Sequence, residues 1–184
     1  MPYKDLTYGY YENRDITKIP LNGLQIRLLN PYAEVITYPE LQNYDNIEDV
    51  FNGKQKIIIL YLLQNEHSGH WTTLFKNSDG MNFFDSYGVM PDYQFELLNP
   101  QKRAKLNQEQ DYLNNHLLKD YKVIYNNITY QSPDKGIATC GCFVSHRLAN
   151  SHLNDIQYCN IFVESGQKPD DVVAEWCFSK LDKM

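Results

Sequence analysis

Lys56 to Leu63 reads Lys-Ile-Ile-Ile-Leu-Tyr-Leu-Leu, a continuous apolar, largely β-branched run. It is far too short to cross a membrane, and no apolar run in the chain is longer. A run of this length and composition suits a central β-strand. The residues after it keep the extended signal. Asn65-Glu66-His67-Ser68-Gly69 reads as a turn, His70 to Lys76 as a second strand, Asn77-Ser78-Asp79-Gly80 as a second turn and Met81 to Tyr87 as a third strand. The expectation is three strands joined by two hairpin turns.

The flanks carry helical and loop signals. Leu24 to Leu28 alternates and fits a short strand or one turn of helix. Tyr8, Tyr10 and Tyr11 form an aromatic cluster. Asn46 to Phe51 looks like a short helix capped by Asn46 and ended by Asn52-Gly53. Residues 91–105 read as a loop. Leu106, Gln110, Leu113 and Leu117 recur at helical spacing and predict a helix from about Arg103 to Lys119. Lys122 to Tyr125 reads as another strand, and Asn126 to Thr139 as irregular. Val163 to Gln167 reads as a loop or short extended piece. Pro169-Asp170-Asp171 opens a last helix, whose buried stripe is Val172, Val173, Trp176 and Cys177. Neither a linker nor a repeat interrupts the 184 residues, so 1–184 reads as a single domain. The predicted fold class is α+β, a central, mostly antiparallel sheet packed against helices.

Thr139-Cys140-Gly141-Cys142-Phe143-Val144 begins a further helix. Cys140, Phe143, Val144, Arg147, Leu148 and Ser151 share one face, which places Cys140 at a buried N-terminal turn. Unpaired N–H groups and the positive end of the helix dipole favour a thiolate there. Gly141, without a Cβ, lets another backbone or a substrate come close. Cys140 is thus a candidate nucleophile.

A base and its orienter follow from the strands. With residues 77–80 as a four-residue hairpin loop, Thr72 lies opposite Asp85, and His70 and Asp85 become diagonal neighbours on one sheet face. A two-residue Asp79-Gly80 loop would set Leu74 opposite Asp85 and carry His70 out of reach. In the longer-loop register, Cys140 attacks a carbonyl, His70 serves as base and Asp85 holds the imidazole. Gln131 and the Cys140 N–H offer hydrogen bonds to the oxyanion. Trp71 walls the cleft and stacks over the substrate backbone. Taken singly, each residue has a plain structural reading; their order on suitable elements makes the set specific.

Rival assignments exist. Cys142 is a second thiol, and Cys140-x-Cys142 with His70 or His67 could bind zinc, although the usual knuckle spacing and a second cysteine pair are missing. His67 is the rival base. His146 and His152 read as surface or core-edge residues, His116 as a helix-end residue, and Cys159 and Cys177 as structural thiols. A net charge of −6 argues against a general polyanion surface and against nucleic acid as a partner. The polar Met1-Pro2-Tyr3-Lys4-Asp5 start has no apolar signal segment, and no membrane association is expected. The expected compartment is intracellular, with reduced thiols.

The succession His70-Trp71, Asp85, Gln131, Cys140-Gly141 resembles the cysteine protease clan that includes the SUMO proteases and adenain, the adenovirus maturation protease. The motifs span about residues 56–150. By resemblance, His70 is the base, Asp85 the third triad member, Gln131 the oxyanion glutamine and Cys140 the nucleophile. The nucleophile then sits at a helix N-terminus and the sheet carries His70 and Asp85. The gap from Gln131 to Cys140 is longer than usual for the clan, and Thr139 stands where SUMO proteases often have an acid. Both departures favour the maturation proteases of adenovirus-like capsid-forming viruses, virophages included. That implies cleavage of capsid or other virion precursor proteins in the host cytoplasm, virus factory, nucleus or virion. It also implies an activating peptide or partner protein and no metal or organic cofactor. The alternatives are a deconjugating protease for a ubiquitin-like modifier, an acyltransferase with Lys102, Arg103 and Lys105 as its nearest basic site, and an inactive binding module.

Overall fold

The computed structural model describes residues 14–65 and 68–184; Tyr8, Tyr10, Tyr11 and His67 lie outside them. Five strands form one sheet in sequence order: β1 (Glu34–Thr37), β2 (Lys56–Asn65), β3 (Ser68–Asn77), β4 (Gly80–Phe84) and β5 (Val123–Tyr125). β2/β3 and β3/β4 are antiparallel and carry most of the pairing, whereas the short edge strands β1 and β5 run parallel to β2 and β4. The class is α+β, as the sequence predicts.

The unbroken apolar run has a physical reason. Ile57, Ile59 and Tyr61 face one core, with Leu74, Met81 and Phe83 beside them. Ile58, Leu60 and Leu62 face another, with Trp71, Phe75 and Phe84. A strand covered on both faces has no polar side to show. The first core is closed by α2 (Ile47–Phe51) and by turns holding Tyr38, Leu41, Phe95, Leu113 and Leu117. The second is closed by α1 (Gly23–Leu29), α4 (Cys140–Ala149), α5 (Asp155–Ser165) and α6 (Pro169–Leu181).

Several local readings hold with their mechanism. Asn46 accepts from the Glu48 and Asp49 N–H groups, and Asn52 ends α2 in the left-handed region. Leu24 to Leu28 takes the helical alternative, opened by reciprocal Asn22–Gln25 capping. Others are corrected. β2 and β3 already pair at Asn65 and Ser68, so the first turn is shorter than expected. The third strand ends at Phe84, because Asp85 leaves the ladder for a turn locked by Asn126.

The expected helix from Arg103 to Lys119 is two pieces, α3 (Pro100–Lys105) and a π-helical turn at Leu113–Leu117. Asn107 is left-handed, and the buried Gln108 side chain bonds both the N–H and the carbonyl of Leu62, standing in for a neighbouring strand. α3 and a 3-10 turn at Tyr93–Leu97 occupy the region read as a loop. Val163 to Gln167 is not extended either. α5 continues to Ser165, held at its start by reciprocal Asn154–Gln157 capping and closed by left-handed Gly166. Val173 and Cys177 are buried on α6, with Ala174 and Phe178, while Val172 and Trp176 are only partly covered.

Two glycines shape the site. Gly69 sits where β2 bulges between Leu62 and Asn65, and a Cβ there would lie 1.8 Å from the Tyr61 carbonyl oxygen. Gly88 has φ +73°, and its Cβ would fall 2.7 Å from the Ile128 backbone. It lets the turn after β4 press against the 126–131 segment. Gly88→Ala therefore combines left-handed strain with a backbone clash and is expected to destabilise the fold by about 1–3 kcal/mol. A urea midpoint equal to wild type would show that the turn relaxes freely.

Candidate active site

The β3/β4 register decides whether His70 and Asp85 can meet. Asn77 pairs with Gly80, and Thr73 with Phe84, so the next step sets Thr72 opposite Asp85. The loop is Ser78-Asp79 rather than four residues, but the register is unchanged because Asn77 and Gly80 simply extend the ladder. His70 Nε2 lies 3.0 Å from Asp85 Oδ2. Both residues are buried, Asp85 completely.

Asp85 accepts more than this one bond. Gln94 Nε2 donates to Oδ2 at 2.9 Å, and the Tyr87 N–H donates to Oδ1 at 2.7 Å. Asn126 brackets the Asp85 backbone, donating to its carbonyl and accepting from its N–H. The His70 ring stacks on Tyr87, with centroids 5.1 Å apart and planes at 22°. Sequence reasoning passed over Tyr87, Gln94, Asn126 and Ser86 as site residues. No spacing rule marks Gln94 or Asn126, whereas Ser86 and Tyr87 adjoin Asp85 and read from the sequence only as the end of the third strand.

Gln131 is brought in through Ser86. The Tyr130 and Gln131 N–H groups both donate to the Ser86 carbonyl, and the Ser86 hydroxyl donates to Gln131 Oε1 at 2.7 Å. With its carbonyl so held, the amide NH₂ is the end left to meet a ligand. Cys140 is the first residue of α4 and is partly exposed. His70, Gln131, Cys140, Trp71, Tyr87 and Gln94 line one cleft of about 450 Å³.

The electrostatics of the cleft favour an ion pair. Burial works against a charged His70, but the Asp85 carboxylate, by charge and hydrogen bond, and the Cys140 sulfur outweigh it. The imidazole is pushed up to about 10. Burial also pushes the Cys140 thiol up. The His70 bond and charge, with backbone bonds from Trp71 and Gly141, outweigh that and hold it below the ordinary thiol value. With Nε2 on Asp85, Nδ1 is the ring nitrogen left for the sulfur.

Other candidates fall elsewhere. Trp71 lines the cleft but is mostly buried, its Nε1 donating to the Leu21 carbonyl at 3.2 Å. Gly141 admits no backbone or substrate. A Cβ there would press on Leu21, Ile26 and Trp71 side chains at 3.1–3.2 Å, so the missing atom serves core packing. Cys142 is fully buried against Cys177, which bonds its carbonyl. His146 is buried rather than superficial: it bonds Tyr158, and burial, with Arg147 beside it, lowers it to about 4. His116 stacks on Tyr112, and Cys159 is partly exposed. Arg103 is engaged by Asp111 and the Phe95 ring. Among the described residues, no cluster of His, Cys, Asp and Glu could hold a metal, and no helix is long and apolar enough to cross a membrane.

No family model matches the chain. "Uncharacterized protein V9" of Sputnik virophage is 34% identical over 152 residues, covering 81% of this chain and 83% of that protein. Among solved structures, the C-terminal Ulp1 protease domain in complex with Smt3, the yeast ortholog of SUMO, aligns over 96% of this chain and 80% of its own. Its TM-score is 0.37 and its identity 15%. A likeness of that order gives no residue here a role.

The sign of the Cys140 shift fixes a pH dependence. A lowered thiol ionises earlier, so iodoacetamide should alkylate Cys140 below the ordinary thiol pKa of about 8.5. His70→Ala removes the two largest lowering interactions and leaves burial opposed only by the Trp71 and Gly141 backbone bonds, so the profile should move up from that of the wild type. Mass spectrometry of alkylated peptides across pH checks this. Equal reactivity of all four cysteines in the folded protein would refute it.

Proposed function

Because the chain belongs to the family of the Sputnik virophage protein V9, and because one cleft gathers a depressed thiol and a raised imidazole braced by a carboxylate, we propose that it is a cysteine endopeptidase acting on precursor polypeptides of a virus particle. The His70–Asp85 pair at 3.0 Å, lining one cleft with Cys140 and Gln131, carries this reading, and the directions of the Cys140 and His70 shifts agree with it. Neither a structural thiol nor a core histidine has a reason to sit in such an arrangement at the mouth of a cleft. The viral substrate is supported by the occurrence of the family in a virophage.

The chemistry follows from the geometry. The Cys140 thiolate attacks the scissile carbonyl carbon; a C–S bond forms and the carbonyl π pair moves to oxygen. The first N–H groups of a helix have no intrahelical partner, so the Cys140 N–H is available to that oxygen alongside Gln131 Nε2. Each such donor is worth about 2.7–4 kcal/mol in the transition state. The intermediate collapses, the C–N bond breaks, and the His70 imidazolium gives its proton to the leaving amine. Neutral His70 then takes a proton from water, whose oxygen attacks the thioester. The C–S bond breaks and the thiolate–imidazolium pair is restored. Throughout, Asp85 keeps the ring oriented and Trp71 walls the cleft.

Incubation with the particle's own precursor proteins, with cleavage sites mapped by mass spectrometry, tests the proposal. Cys140→Ala should abolish cleavage and leave the urea midpoint nearly unchanged. Gln131→Ala should lower turnover by about 10²–10³-fold while Cys140 still alkylates normally. Activity confined to a ubiquitin-like modifier joined through its C-terminal glycine would replace the viral substrate with a deconjugating role. Full activity in Cys140→Ala would end the assignment.

A further inference from the structure

Residues 132–139 join the two groups meant to bind the oxyanion, Gln131 before them and Cys140 after. No strand or helix spans this stretch, and Gly136 is left-handed at φ +93°. Ser86 anchors one end through Gln131, and α4 carries the other. The distance between the donors is therefore not set by the loop's own secondary structure. Asp170, the second residue of α6, reaches both ends. Its Oδ2 accepts from the Ser132 N–H at 2.9 Å, and its Oδ1 accepts from the Thr139 hydroxyl. The side chain is 5% exposed. Its own position is fixed because α6 buries Ala174, Cys177 and Phe178 in the core that holds α4, and Cys177 Sγ donates to the Cys142 carbonyl.

The second bond has a further effect. Thr139 is the N-cap of α4, and an N-cap hydroxyl usually accepts from the N–H of the second or third helical residue. Here it makes no such bond. Turned to Asp170 instead, it leaves the Gly141 N–H to the Cys140 sulfur. One planar carboxylate thus spans the loop and frees a first-turn amide.

We propose that Asp170 is a positioning residue that sets the spacing of the two oxyanion donors, Gln131 Nε2 and the Cys140 N–H, through Ser132 and Thr139; this rests on the cysteine-protease reading above. The test compares two reactions of the same sulfur. Alkylation by iodoacetamide displaces iodide from a saturated carbon and develops no oxyanion. Acylation by 4-nitrophenyl acetate does: the thiolate adds to the carbonyl, and the oxyanion collapses to expel 4-nitrophenolate. Both are measured at Cys140, with Cys140→Ala as the blank.

Asp170→Ala should slow acylation about 10- to 100-fold, as expected for ångström-scale misplacement, and change alkylation far less, through the single Gly141 N–H that a freed Thr139 hydroxyl would take from the sulfur. Asp170→Asn should restore acylation, because its carbonyl can accept from Ser132 while its NH₂ donates to Thr139 Oγ1. If Asp170→Ala does not fold, Thr139→Val removes one bond alone and should lower acylation selectively. Wild-type acylation in Asp170→Ala, or equal loss of both reactions, would overturn the positioning role and leave the protease reading standing. A wild-type protein that alkylates selectively at Cys140 but does not acylate would remove the protease reading, and the positioning role with it.

Discussion

A carboxylate with no solvent exposure is tolerated only if its charge is met by hydrogen bonds and an opposite charge. Asp85 is such a group, and the site is arranged around meeting its needs. His70 supplies the opposite charge, Gln94 and the Tyr87 N–H the remaining bonds, and Asn126 fixes the backbone that presents it. Removing one partner from a buried pair typically costs about 3–5 kcal/mol, because the other charge is left uncompensated. The same interaction raises His70, and a raised His70 lowers Cys140. The lowering of the thiol is thus a consequence of how a buried charge is accommodated two residues away in space.

Sheet parity explains why these groups can meet. Trp71 and Phe84 face the core that holds α4, so His70, next to Trp71 in β3, falls on the opposite face, and Asp85 meets it from the turn that follows β4. Cys140 lies at the end of α4 and reaches His70 where β3 begins. The bulge in β2 lies beside Gly69, immediately before His70, where Tyr61 leaves no space for a side chain. The Gly88 turn presses Ser86 toward the segment that carries Gln131. His70 and Gln131 are therefore held by one hydrogen-bonded turn, although they are far apart in sequence.

The parts legible in the sequence are those governed by local rules. The buried strand followed from an apolar run, the hairpin register from a turn and a pattern, and the α2 ends from Asn46, Asn52 and Gly53. The close approach of His70 and Asp85 followed from that register. What was not legible depended on partners distant in the chain. Gln108 breaks a helical pattern because Leu62 needs a neighbour, and no window around Gln108 contains Leu62. His146 is buried because Tyr158 and Trp176 close over it. α5 is a different case: Asn154, Gln157 and Gly166 were local signals of its start and stop. Gly141 was expected to admit a backbone or a substrate, but what packs against it is a tryptophan and two aliphatic side chains from distant parts of the chain.

The order in which the site is assembled follows from its connectivity. His70 and Asp85 belong to one hairpin and can meet early, since short contacts cost little loop entropy. Cys140 arrives on a helix much later in the chain, and its ionisation depends on that docking. A nascent or half-folded molecule carries it as an ordinary thiol, apart from an already formed His70–Asp85 pair. The lowered thiol is thus a property of the completed fold, and under the proposed function a chain still being made has nothing with which to cut its neighbours.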